Sequence, residues 1–199
     1  GSTLSGGFVG LDTVECEVTP YDGTDAGVPV VGTLAVVNTA PIVTTVTMDP
    51  PAPITGDTVT CSWSGYSDLD GHGDASSASW FINDVLAAEG GVIAGGFTSG
   101  DELRCTVTPN DGDMDGLPVS MSADIQHSAP SIETVTVFPI TATTTTGLTC
   151  SWAGYLDLEG EADVSLVEWT VNGEVVGSGP SLDSGYVHDD VVSCEVTPY

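Results

Sequence analysis

The 199-residue chain carries one basic side chain, Arg104, against 29 acidic ones, for a formal net charge of −28. That balance excludes nucleic-acid phosphates and anionic membrane surfaces as partners, since both need a Lys/Arg footprint, and it attracts cations. Hydrophobic residues still make up 40% of the chain and include four Trp, so it is no disordered acidic tail.

In chain order, the first conspicuous phrase is "CEVTPYDG" at 16–23, which returns as "CTVTPNDG" at 105–112 and "CEVTPY" at 194–199. The offsets are 105 − 16 = 89 and 194 − 105 = 89. "CSWSGYSDLDG" at 61–71 likewise returns as "CSWAGYLDLEG" at 150–160, and "NTAP" at 38–41 answers to "HSAP" at 127–130. A period of 89 is too long for a solenoid turn and suits tandem small domains. The expected organisation is the back of one domain at 1–39, a complete domain at 40–128, and a domain lacking its last strand at 129–199, all cut from a longer array.

Within the complete repeat, strands are predicted at 42–48, 57–64, 77–83, 102–108 and 117–126, with a C′ or D/E region across 85–99, and the first strand of the next repeat begins after Pro130. In "TVTCSWSG" Val59, Cys61 and Trp63 alternate with Thr58, Thr60 and Ser62, the period-two pattern of a half-buried strand. Leu103, Cys105 and Val107 alternate in the same way, and Leu148, Cys150 and Trp152 repeat the first pattern. Turn chemistry follows Trp80 at Asn83-Asp84 and Trp169 at Asn172-Gly173. No stretch holds a 3.6-residue period, and no apolar run is long enough to span a membrane as a helix. The fold class is all-β.

Cys61 and Cys105 lie 105 − 61 = 44 positions apart, as do Cys150 and Cys194 (194 − 150 = 44). One bridge per repeat is expected, Cys61–Cys105 and Cys150–Cys194, with the partner of Cys16 upstream of residue 1. Such bridges imply an oxidising compartment. No cysteine spacing suits zinc or haem.

The order Cys, Trp, Cys within a repeat resembles the immunoglobulin-like β-sandwich, in which a bridge between strands B and F packs against a tryptophan of strand C. With "VNGEVVGSG", "VTPNDG" and the "NTAP" linkers, the tandem phrasing is similar to the bacterial Ig-like, PKD-like and cadherin-like repeats of giant secreted surface proteins. The antibody pattern of an aromatic two residues before the second Cys is missing, since Leu103 and Val192 stand there. The resemblance implies tandem two-sheet beads joined by short proline-ended linkers that limit swivel.

It also places two acidic segments as loops at one end of the sandwich. The B–C loop holds Asp68, Asp70 and Asp74 in one repeat and Asp157, Glu159, Glu161 and Asp163 in the next, and the F–G loop holds Asp111, Asp113 and Asp115. These carboxylates would converge near Asn38 and Thr39 and could hold Ca²⁺, which wants six to eight oxygens, at the joint that cadherin-like arrays stiffen with calcium. The competing reading is that Asp, Asn and Gly are simply good turn residues. No EF-hand register fits, because His72 and Ser79 occupy ligand positions counted from Asp68. His72, His127 and His188 are read as solvated loop residues, and Trp63, Trp80, Trp152 and Trp169 as core.

No nucleophile elbow, HExxH or P-loop occurs, and nearly every marked residue recurs with the repeat, which points away from catalysis. The expected function is a structural spacer in the stalk or fibre of a large extracellular bacterial surface protein. Its partners would be neighbouring repeats and identical chains in a fibre. The alternatives are a calcium-dependent adhesion or glycan-binding module and a segment of an extracellular filament. Phe81 and Phe138, which lack aromatic counterparts in the repeat, are where a specialised binding surface would show.

Overall fold

The computed structural model describes residues 2–199; Gly1, which the repeat aligns with Gly90 and Gly179, lies outside the described residues. Those residues contain strands and turns and no helix, hence no helix long and apolar enough to cross a membrane. The chain divides into two compact units. The first comprises the chain through Pro53, Asp57–Gly95 and Asp101–Asp124, and the second comprises Ile54–Gly56, Gly96–Gly100 and Ile125–Tyr199.

The first unit opens with an antiparallel hairpin of β1 (Thr13–Val18) and β2 (Val30–Ala35), in which Cys16 is exposed and unbonded. Two further antiparallel sheets follow. One orders β3 (Thr45–Asp49), β4 (Thr58–Ser64) and β7 (Val92–Ala94); the other orders β6 (Val85–Glu89), β5 (Ser77–Ile82), β8 (Glu102–Thr108) and β9 (Val119–Asp124) as β6-β5-β8-β9. The region across 85–99, expected to hold a C′ or D/E element, contains β6 and β7, which belong to different sheets. The last strand starts later than predicted, after Pro118, which has no N–H to give to the ladder.

The alternation along β4 and β8 decides how these sheets face. Val59 and Cys61 are buried while Thr58, Thr60 and Ser62 are exposed, and Leu103, Cys105 and Val107 are all inside. The inner faces are joined by the Cys61–Cys105 disulfide, with Cα atoms 6.4 Å apart. Trp80 fills the space beside it and is fully buried. The β5–β6 hairpin closes through two residues, Asn83 and Asp84, with φ of 50° and 65°, the type I′ geometry that matches strand twist. Asn83 then ties the turn to the next strand: its Nδ2 donates to Asp101 (2.7 Å) and its Oδ1 accepts from the Glu102 N–H (3.0 Å).

The second unit repeats the plan with β10 (Thr134–Phe138), β11 (Leu148–Ala153), β12 (Leu166–Val171), β13 (Glu174–Ser178), β14 (Ser181–Leu182) and β15 (Val192–Thr197). Its sheets are β10-β11-β14 and β13-β12-β15, joined by Cys150–Cys194. Leu148, Cys150, Val167, Trp169, Val171, Leu182 and Tyr186 form its core. Asn172 repeats the turn staple, donating to Asp190 (2.8 Å) and accepting from the Val191 N–H (3.0 Å).

The two core tryptophans differ in one respect. The Trp169 indole N–H donates to the Gly179 carbonyl at 2.9 Å, whereas the buried Trp80 indole nitrogen has no partner. An unmade buried hydrogen bond costs more than a made one gains. Trp80→Phe is therefore expected to cost about 1 kcal/mol less than Trp169→Phe, read from denaturant midpoints of each variant. An equal or larger loss for Trp80→Phe would contradict this account of the two cores.

Candidate functional site

The loop that leaves β4 in the first unit coils around Asp68. Its Oδ1 accepts the backbone N–H groups of Asp70 (2.9 Å) and His72 (3.0 Å), and its side chain is 1% exposed. The loop that leaves β8 does the same around Asp111, whose Oδ1 accepts from the N–H groups of Asp113 (2.8 Å) and Met114 (2.7 Å). Asp111 Oδ2 accepts from the Asn38 side-chain amide at 2.7 Å, so the "NTAP" linker is bound to this loop. The Asn38 bond, aided by the two loop N–H groups and by His72 and opposed by burial, holds the Asp111 carboxyl at a pKa of about 2.

His72 stands between the two acids, its Nδ1 3.8 Å from Asp68 Oδ1 and 3.7 Å from Asp111 Oδ2. This corrects its reading as a solvated loop residue: only 26% of the side chain is exposed, and Nδ1 is buried. His127 and His188 do stay largely in solvent.

Asp70 faces the other way, toward the chain that precedes the loop. Its Oδ1 accepts from the Gly10 N–H at 2.5 Å and its Oδ2 from the Thr39 N–H at 2.7 Å. These two donors, Thr39 foremost, hold its carboxyl below the usual range. Residue 10 must be glycine here, because a Cβ would sit 2.7 Å from both Asn38 Oδ1 and the Asp70 carboxylate.

The second unit uses the same device with a longer acid. Glu159 accepts from the Ser128 N–H at 3.1 Å and the Ser128 hydroxyl at 2.6 Å. The Ser128 hydroxyl, then the Thr55 hydroxyl, with the Ser128 N–H and His127 assisting against burial, lower its pKa to about 2. Asp157 Oδ1 accepts the Glu161 N–H at 2.9 Å, as Asp68 accepts that of His72.

Not every predicted ligand joins these clusters. Asp74 accepts the Trp63 indole N–H (3.1 Å) and the Ser76 N–H (2.9 Å), and Asp163 accepts those of Trp152 (2.8 Å) and Ser165 (3.0 Å). Trp63 and Trp152 are accordingly half-buried near the ends of their strands, with their polar edges on the loops, and Trp152 packs against the core of its unit. Asp113 and Asp115 are exposed, and Asp115 accepts from the Asn110 amide. Of the first unit's predicted acids, Asp68 and Asp111 meet, while Asp70 serves the linker.

The expected convergence of loop acids near Asn38 and Thr39 is met by Asp111 and Asp70, whereas sequence reasoning did not foresee the part His72 and Gly10 take in this loop cluster. Asn38 and Asp111 lie 73 positions apart, and no local pattern signals that contact. Phe81 proves to be stacked beneath the Arg104 guanidinium, 4.4 Å from its ring centre, and Arg104 also pairs with Asp84 at 2.7 Å. Phe138 is 71% exposed. No protein-family model matches this chain, and no curated protein matches it in sequence.

Because the Glu159 pKa falls from 4.5 to about 2 on folding, its contribution is complete above the unfolded value and is lost as pH drops through the folded one. Thermal melts at about pH 6 and about pH 2.5 should show Glu159→Gln flattening the acid-side loss of stability. An unchanged pH profile would refute the clamp.

Proposed function

We propose that this chain is a structural spacer: a stretch of tandem Ig-like beads from a large extracellular protein, each bead locked internally and each linker held by its own unit. The observation that carries this reading is the pair of disulfides, each closing 44 positions and each joining the two sheets of its unit. A bridge placed there removes half of each repeat from any stretching. The loops point the same way, since Asp70 and Glu159 spend their carboxylates on the backbone of Thr39 and Ser128 and not on an open surface. Such beads belong in an oxidising, extracellular setting. Their partners are the neighbouring repeats of the chain and identical chains in a fibre, kept soluble by mutual repulsion at a net charge of −28.

Single-molecule stretching tests this. Each oxidised bead should unfold in its own force step, and reduction should lengthen that step by the 44 sequestered residues, about 150 Å at ~3.4 Å per residue. Steps of equal length before and after reduction, or unfolding without a discrete step, would defeat the spacer reading.

A further inference from the structure

The cluster of Asp68, His72 and Asp111 contains polar groups that the protein itself leaves unanswered. Asp68 is 1% exposed and Asp111 fully buried at the side chain, two carboxylates withdrawn from water in one loop cluster. Buried like charges are costly unless a cation compensates them. Yet Asp68 Oδ2 has no hydrogen-bond partner, and neither has His72 Nδ1, the atom that lies between the two acids. A protonated imidazole bonded directly to a carboxylate would sit about 2.8 Å away, and the observed separations are 3.8 and 3.7 Å. Two ligands sharing one tetrahedral Zn²⁺ are about 3.4 Å apart, given bonds of about 2.1 Å to each. The 3.7 Å from His72 Nδ1 to Asp111 Oδ2 is close to that ligand spacing, and Asp68 Oδ2 is left free to complete it.

We infer that Asp68, His72 and Asp111 form a binding site for one divalent cation that accepts an imidazole nitrogen together with carboxylate oxygens, the chemistry of Zn²⁺. One candidate ligand atom from each residue lies within 4.8 Å of the others. The surroundings orient the two carboxylates as an outer shell does: the backbone N–H of His72 donates to Asp68 Oδ1, and the Asn38 amide donates to Asp111 Oδ2. Five of the oxygen lone pairs are already occupied, four by the backbone N–H groups of Asp70, His72, Asp113 and Met114 and one by the Asn38 amide. Too few oxygens remain for the six to eight that Ca²⁺ requires, whereas three protein ligands and a water complete a zinc shell. The nitrogen belongs to the first unit alone, since the position 72 + 89 = 161 holds Glu161. This inference does not depend on the spacer reading.

The test is calorimetric titration of the metal-stripped intact chain with Zn²⁺ and, separately, Ca²⁺, at about 0.15 M salt to screen the diffuse acidic surface. One Zn²⁺ should bind per chain. His72→Ala and Asp68→Asn should each weaken binding by at least about tenfold, while Asp113→Asn, on an exposed neighbour, should leave it unchanged. Should either variant fail to fold, the wild-type imidazole ¹⁵N spectrum decides: Zn²⁺ should shift Nδ1 of His72 and leave His127 and His188 in place. Absence of Zn²⁺ binding, equal shifts at all three histidines, or Ca²⁺ binding with the His72 ring unmoved would each overturn the assignment.

Discussion

The contact on which the rest of each unit depends is the tryptophan standing opposite a bridged cysteine. In the first unit Trp80 is the ladder partner of Cys105, and in the second Trp169 is the partner of Cys194. The disulfide fixes which face of β8 or β15 looks inward, and the adjacent indole makes that choice expensive to reverse. A slip of one residue would turn every inward side chain to water, remove the tryptophan from the core and pull the sulfur atoms off their partner sheet. Register, sheet facing and the exit direction of the loops therefore follow from one local arrangement, made twice.

A chain with one basic side chain and 29 acidic ones cannot satisfy its carboxylates with salt bridges. It uses backbone N–H groups. Asp68, Asp70, Asp111, Asp157, Glu159 and Asp190 each accept from at least one main-chain donor. Hydrogen bonding to the charged form lowers a pKa without a cation nearby, as Asp190 shows, and in Asp70, Asp111 and Glu159 the hydrogen bonds are the largest cause, with a neighbouring histidine the smallest. The same bonds fix loop shape, because a carboxylate that collects two or three N–H groups dictates the turns that bring them together. Acidity here is part of the loop's architecture as well as a source of solubility.

The strands were legible because alternation is local: Val59, Cys61 and Leu103, Cys105, Val107 declare their faces in the sequence, and all are buried. The bridges were legible because the repeat marks both ends of each. Parity alone could not show that Trp63 and Trp152 sit near their strand ends, where each indole N–H reaches a loop acid while the Trp152 ring packs against the core. The loops themselves were legible only as acid-rich. Which acid turns toward the linker and which toward the neighbouring loop depends on backbone path, and Asp68 and Asp70, two positions apart, go opposite ways. His72 was misjudged for the same reason, as its burial comes from Asp111 on a distant segment.

Contacts recur between the two units where both partners recur, whether they address the backbone or another side chain: Trp63–Asp74 returns as Trp152–Asp163, and Asn83–Asp101 as Asn172–Asp190. The Asn83 staple recurs at Asn172, and the Asp70 clamp recurs at Glu159 with one more methylene. In contrast Phe81, Asp84 and Arg104, which bind one another, are replaced together at 81 + 89 = 170, 84 + 89 = 173 and 104 + 89 = 193 by Thr170, Gly173 and Ser193. A guanidinium on a sheet face needs both its ring and its carboxylate, so losing one removes the reason for the others. The two units thus fold alike on a shared set of loop acids, amides and core residues kept as matched partners, which leaves the remaining surface free to diverge, and His72 against Glu161 is one such divergence.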